Sequence, residues 1–111
     1  MSLRLEQAEE FQTDFAVQAR WYVREAGAEI GWRFEAAVHS TLELLCAQPD
    51  LGRKRHFRHP KLRGLLSLTV QRPFNRMIVF YRVDGEVLQA VRLMHGARDL
   101  PRRLVEPPAT E

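Results

Sequence analysis

The segment Arg72-Pro73-Phe74-Asn75-Arg76-Met77-Ile78-Val79-Phe80-Tyr81-Arg82-Val83-Asp84-Gly85, continued by Val87 to Met94 and closed by His95-Gly96-Ala97-Arg98-Asp99-Leu100-Pro101, sets the architecture of this chain. Two apolar, strand-like runs flank Asp84-Gly85, a dipeptide that suits a type I′ turn because that turn needs positive φ at both central residues. The segment is therefore predicted to be a β-hairpin. Met77 to Val83 is apolar almost throughout, as expected for a central strand covered on both faces. The second strand ends by presenting His95 and Arg98 to solvent beside a glycine.

Upstream of the hairpin the hydrophobic period is two. Leu66, Leu68 and Val70 face one way, and Leu65, Ser67, Thr69 and Gln71 the other, which predicts a third meander strand. Before it lies a segment punctuated by glycine and proline, from Pro49-Asp50-Leu51-Gly52 to His59-Pro60 and Gly64. It carries Arg53, Lys54, Arg55, Arg58, Lys61 and Arg63 with His56 and His59 among them, the densest charge in the protein.

Nearer the N-terminus the period becomes helical. Phe11, Phe15, Ala19, Tyr22 and Ala26 recur every three or four residues, with Glu9 and Glu10 in the first turn, where negative charge suits the helix dipole. Gly27 is a natural stop, since glycine alone enters positive φ without a Cβ penalty. A second helix is predicted from about residue 28 to about residue 47. Its stripe is Ile30, Phe34, Val38, Thr41 or Leu42, and Leu45, and it ends before Pro49. Trp21 and Trp32 lie near the helix ends, either capping the core or entering a partner's groove. Leu3, Leu5 and Gln7 alternate with Arg4 and Glu6 as a short opening strand.

The resulting fold class is α+β: an N-terminal strand, a helical hairpin, then a three-stranded antiparallel meander. The economical assembly is a twisted antiparallel sheet with both helices on one face. The other face would be partly open and would carry the basic side chains of the strands and loop. Residues 1–104 are expected to form one domain and residues 105–111 a polar tail without periodicity.

Composition narrows the function classes. At 111 residues the chain is long enough for one modest core. No apolar run approaches the roughly 18–20 residues that span a bilayer, and the first ten residues lack the apolar middle of a signal peptide. A single cysteine, Cys46, excludes an intrachain disulfide and a multi-cysteine metal site. A cytoplasmic location follows as the expectation. The net charge of +3 conceals an asymmetry. Residues 1–51 hold four Arg/Lys against nine Asp/Glu, a balance of −5, and residues 52–111 hold thirteen against five, a balance of +8. Such a split points to an anionic partner, nucleic acid or an acidic protein segment.

Most chemical motifs close quickly. His56 and His59 have no neighbouring Cys, Asp or Glu to complete a zinc site. Cys46 belongs to a helical stripe and fits the core better than a nucleophile's position. Ser67 lacks the glycines of a nucleophile elbow, and no glycine-rich phosphate loop is present. No metal or cofactor is implied.

Taken in order, several elements resemble the RelE/ParE superfamily of toxins from type II toxin–antitoxin pairs. They are Trp21-Tyr22, Phe34 followed by Thr41-Leu42, the Pro49 to Gly52 turn, His59-Pro60-Lys61-Leu62-Arg63-Gly64, Arg72-Pro73-Phe74, Phe80-Tyr81-Arg82 and the run from His95 to Leu100. The resemblance extends from about Leu3 to Leu104. No single piece is specific; their order and spacing are. It implies a toxin neutralised by a cognate antitoxin, and it implies one of two activities. RelE-like members cleave messenger RNA on the ribosome without a metal, whereas ParE-like members inhibit DNA gyrase, as in plasmid stabilization modules, and are not nucleases.

As an mRNA interferase, the chain would need a proton acceptor, a proton donor and cations for the phosphorane charge. His95, Arg98 and Tyr81 are then the catalytic candidates. Arg72 and Arg76, with Arg53, Lys54, Arg55, Arg58, Lys61 and Arg63, are candidates for binding the target or the antitoxin. Interferases resembling this chain often place a tyrosine shortly after the last strand. Leu100 and then Pro101 stand there here, and neither transfers a proton. The ParE-like branch is therefore favoured, with a non-toxic nucleic-acid-binding module as the reading from outside the family and a degenerate toxin that only binds antitoxin as a further one. His95, Arg98, Arg72 and Arg76 are expected on one contiguous surface.

Overall fold

The β-hairpin is the centre of the sheet. In a computed structural model, which describes residues 2–96 and 100–108, β1 (Arg4–Gln7) leads into α1 (Glu9–Ala26) and α2 (Ala28–Ala47). A 3-10 turn (Pro49–Leu51), β2 (Arg53–Lys54) and a second 3-10 turn (Pro60–Leu62) follow. β3 (Leu66–Thr69), β4 (Met77–Asp84), β5 (Val87–His95) and α3 (Leu100–Val105) complete the chain. The sheet order is β1-β5-β4-β3-β2. The α+β architecture anticipated from the period changes is present, with the helical hairpin packed on the sheet.

Both helical stripes fold as patterned except at Ala26, which is exposed at the end of α1. Phe11, Phe34, Val38, Leu42 and Leu45 are buried against Met77, Val79, Tyr81, Leu88, Ala90 and Leu93, with Phe15, Ala19, Tyr22 and Ile30 packed at the margin. Gly27 separates the helices at φ 94°, and its N–H bonds the Val23 carbonyl at 2.9 Å. Among the described residues no helix is long and apolar enough to cross a membrane.

Four details depart from the sequence expectation. First, the sheet is mixed: β1 runs parallel to β5, pairing Arg4 to Gln7 with Val87 to Ala90. The helical hairpin returns the chain to the far edge of the meander, and that crossover suits a parallel partner. Second, the tight turn is one residue later than the Asp-Gly pair suggests. Asp84 pairs with Val87, so Gly85 and Glu86 are central, and Gly85 supplies a φ of 59°. Third, the sheet gains an edge strand, β2, whose Arg53 and Lys54 pair with Ser67 and Leu66.

Fourth, the second sheet face is not open. Phe80 and Met94 project there with Leu65, and they are covered by Leu62 and by Leu104 of α3, with Phe57, Ile78, Val91 and Leu100 around them. The segment after β5, to which no element was assigned, thus contributes a short helix, because two apolar residues, Leu100 and Leu104, suffice for one turn of contact at spacing four. A register shift allows this packing. Phe80 pairs with Arg92 and Tyr81 with Ala90, so Val91 is an extra residue, a β-bulge. Leu88 and Ala90 below it, and Leu93 above it, belong to the helix-side core, whereas Val91 packs on the second face.

Candidate functional site

The site lies where β4 begins and β5 ends. Phe74 anchors the connection from β3: its ring meets Tyr22 at 5.2 Å and Phe34 at 5.4 Å, both edge-on. The backbone turns tightly around this anchor, with Phe74 N–H bonding the Gln71 carbonyl at 2.9 Å and Met77 N–H the Phe74 carbonyl at 3.0 Å. Burying Phe74 leaves Arg72, Pro73, Asn75 and Arg76 exposed around it. The end of β5 is drawn against this turn. Met77 pairs with His95, and Gly96 N–H donates to the Arg76 carbonyl at 2.7 Å. A Cβ on Gly96 would meet that carbonyl oxygen at 3.2 Å and Ile78 Cδ1 at 3.3 Å, so the approach suits glycine.

Arg76 and His95 consequently share a recess of about 340 Å³ with Gln18, Trp21, Tyr22 and Pro73. Trp21 is 44% exposed and stands edge-on to Tyr22 at 5.1 Å. Burial pushes the Tyr22 phenol above the ordinary tyrosine value, with Arg76 pulling it partly back. Among the described residues lining the recess there is no carboxylate. Arg72 lies on the other side of Pro73, in a shallower hollow with Ile30, Arg33 and Ser40 of α2. Arg72 and Arg76 thus flank one proline, while Arg98 falls outside the described residues.

Tyr81 is elsewhere. It is 0% exposed, and its hydroxyl donates to the Pro49 carbonyl at 2.7 Å while accepting from Gly52 N–H at 3.0 Å. Burial raises its pKa, against the lowering effect of the Gly52 bond. This hydroxyl ties the α2–β2 connection to the sheet and is closed to a substrate.

The basic segment forms a second cationic region on the β2 side of the sheet, at the register of Phe80 and Tyr81 rather than of Met77. Its members divide by what they touch. Arg55 lies over Phe57 and Phe80, at 5.2 and 5.7 Å from the ring centres, and bonds Ser67 Oγ at 3.2 Å. Burial, with Arg53 nearby, lowers its pKa. It holds the loop to the sheet. Arg53, Lys54, Arg58, Lys61 and Arg63 are exposed.

Arg82, quoted above only as part of Phe80-Tyr81-Arg82, and the pair Asp14 and Arg92 were not singled out as candidates. Arg82 donates to the carbonyls of Arg63, at 2.9 Å, and Lys61, fixing the loop's backbone. Arg92 is buried with Asp14: Nε and Nη2 reach the two carboxylate oxygens at 2.7 and 3.1 Å, with side-chain exposures of 6% and 8%. Arg92 Nη1 also donates to the carbonyls of Leu104, at 3.1 Å, and Glu106, at 2.7 Å. The available signal was an arginine inside an apolar strand run, and an aspartate three residues from Phe11 and next to Phe15. Gln18 carried no such signal.

Chemically, the recess offers donors to an anion, an exposed indole face and one imidazole. The model of the ParE toxin of type II toxin–antitoxin systems, parDE, matches residues 5–100. A chain from the chromosomal ParDE toxin–antitoxin system of P. aeruginosa shares the fold, with a TM-score of 0.69 at 20% identity over 86% of this chain and 98% of that one. No curated protein matches. With the family model covering nearly the whole folded chain, and the same strand–helix–helix–meander order in three dimensions, this protein belongs to the ParE family of type II toxin–antitoxin toxins.

Proposed function

We propose that this ParE-family toxin arrests growth through DNA gyrase in the cytoplasm and is neutralised by a cognate antitoxin. One observation carries the choice of gyrase over RNA cleavage: the aromatic hydroxyl best placed in sequence for proton transfer, that of Tyr81, is enclosed and bonded at both positions by backbone. Leu100, at the place where interferases resembling this chain keep a tyrosine, packs against the second core. Of the carboxylates in the neighbouring hollow that His95 also borders, Asp14 is held by Arg92 and by Leu93 N–H. Within the Trp21 recess the described residues offer His95 only the Tyr22 phenol, whose pKa burial raises. A general acid–base reaction near neutrality needs both an acid and a base.

Arg72, Arg76 and His95 serve as a contact surface in this reading; Arg98, outside the described residues, is given the same role from its sequence alone. The exposed cations Arg53, Lys54, Arg58, Lys61 and Arg63 meet acidic groups of the antitoxin or of the target. Arg55 supports them from beneath. The alternative is a metal-independent mRNA interferase, favoured by the presence of His95 and Arg76 in one recess.

Controlled expression in a bacterial host, following transcript integrity and plasmid supercoiling together, decides between them. Arrest with intact transcripts and relaxed or cleaved DNA is the expected result. Cleaved transcripts in an arrested culture would replace it with the interferase reading.

A further inference from the structure

The recess between α1, the Pro73 turn and the end of β5 brings Trp21 together with Arg76 and His95. The largest hollow, about 700 Å³, is lined by Glu9, Glu10 and Glu106 as well as by Lys61, Arg82 and Arg92, so its charges balance internally. The neighbouring hollow along β5 shares Gln18 and His95 with the recess and contains the Asp14–Arg92 pair, Arg103 and Glu106. The Trp21 recess and the Arg72 hollow across Pro73 both carry arginine with no carboxylate among their described lining residues, and of these two the Trp21 recess holds the indole.

We propose that this recess binds one nucleotide unit of a single-stranded nucleic acid, with the base against Trp21 and a phosphate between Arg76 and His95. Trp21 offers a partly exposed indole packed against Tyr22 with the two ring planes nearly perpendicular, and every base presents a π-face to such a platform. Arg76 and His95 line the same recess, where the Gly96-to-Arg76 backbone bond draws the end of β5 against the turn. The Gln18 amide carries both a donor and acceptor for a base edge. A volume of about 340 Å³ lies at the low end of small-ligand sites and suits one unit rather than a duplex.

An extended peptide is a poorer occupant. It would add to the outer edge of β5 above Ala90, where β1 stops, but Asp14 Oδ2 already accepts Leu93 N–H there at 3.0 Å. The nucleotide assignment goes beyond the gyrase reading and stands independently of it: a toxin that ignores gyrase can still bind here, and one that inhibits gyrase can fail to.

The test uses the full chain carrying Trp32→Phe, which leaves Trp21 as the sole indole of the two in the sequence. Trp32 is 67% exposed, so this change leaves the core intact. The probes are a short oligothymidylate, an abasic oligomer of equal length and charge, and an acidic peptide containing one phenylalanine. Oligothymidylate should quench Trp21 fluorescence, and the abasic oligomer should bind about tenfold more weakly without quenching, the size expected for one stacked base. Arg76→Ala should weaken oligothymidylate binding by a similar factor. Equal binding of base-bearing and abasic oligomers, absence of quenching, or quenching by the peptide alone would each overturn the assignment. The gyrase assay is a separate measurement, so either reading can fail alone.

Discussion

Arg92 on β5 and Asp14 on α1 meet through two hydrogen bonds of 2.7 and 3.1 Å although 78 residues separate them in sequence. The pair joins three parts of the fold. Asp14 also accepts Leu93 N–H, and Arg92 also donates to the carbonyls of Leu104 in α3 and of Glu106 just beyond it. The carboxylate replaces a strand where β1 runs out, and the guanidinium clamps the C-terminal segment to the sheet. Removing one partner leaves the other buried and uncompensated. Asp14→Ala and Arg92→Ala should each cost about 3–5 kcal/mol in urea unfolding, and a double-mutant cycle should show strong coupling. Arg92→Lys should rescue little, because an ammonium cannot reproduce the planar fork.

The second core makes α3 part of the folding unit. Leu104→Ala should destabilise the protein by about 2–5 kcal/mol, measured by denaturant midpoint. Truncation after Gly96 should do more, since it also removes the carbonyl acceptors of Arg92. A truncated chain with an unchanged midpoint would show that α3 only rests on the sheet.

Tyr81 gives the protein an alkaline limit. Its folded pKa is raised, so the folded state holds the proton after the unfolded chain has released it. Its contribution is fully present below the ordinary tyrosine value of 10.0 and is lost as pH rises through the higher folded value. Tyr22 acts in the same direction. Urea midpoints should therefore be flat below about pH 9 and fall above about pH 10. Tyr81→Phe should lower the plateau, by leaving Gly52 N–H and the Pro49 carbonyl without partners, and should make the alkaline fall shallower.

Gly52 is the complementary site. A Cβ there would lie 2.0 Å from the Tyr81 hydroxyl oxygen. Ring carbons Cζ and Cε1 would lie at 2.6 and 2.7 Å, so Gly52→Ala should displace the ring or the β2 connection and destabilise the fold, and adding Tyr81→Phe should not restore it. A urea midpoint for Gly52→Ala equal to that of the parent would show that the connection shifts freely.

The exposed cations of the β2 side should act mainly on association rate. Arg53→Glu with Lys54→Glu should slow antitoxin association by about tenfold or more at low salt. The difference should narrow as the Debye length shrinks with added salt. Stopped-flow mixing of toxin with its antitoxin at two salt concentrations measures both effects.

The helices and the meander were legible because Phe11, Phe34, Val38 and Leu45 obey one period and Leu66, Leu68 and Val70 another, and local pattern determined which face each would bury. The covered second face was not. Its lid depends on Leu100 and Leu104, two residues in a proline-bearing charged tail, and on loop residues Phe57 and Leu62, whose apolar character was submerged among cations. The site was half legible. His95 and Arg76 come together as a strand-end pairing would suggest, yet Trp21 and Gln18 reach them from α1 by tertiary packing alone. Tyr81 looked like a wet hydroxyl because nothing near it in sequence announces Pro49 and Gly52 as its partners.

The bulge at Val91 also affects how relatives should be aligned. Because Phe80 faces Arg92 and Tyr81 faces Ala90, the ladder would close into a regular one if Val91 were absent. Arg92, Leu93 and His95 would keep the faces they now hold. A homologue one residue shorter at this point should therefore retain the Trp21 recess and the clamp on the C-terminal segment, losing only a methyl-bearing contact on the far side. The gap belongs at position 91, and an alignment that slides it to either side would misplace the histidine.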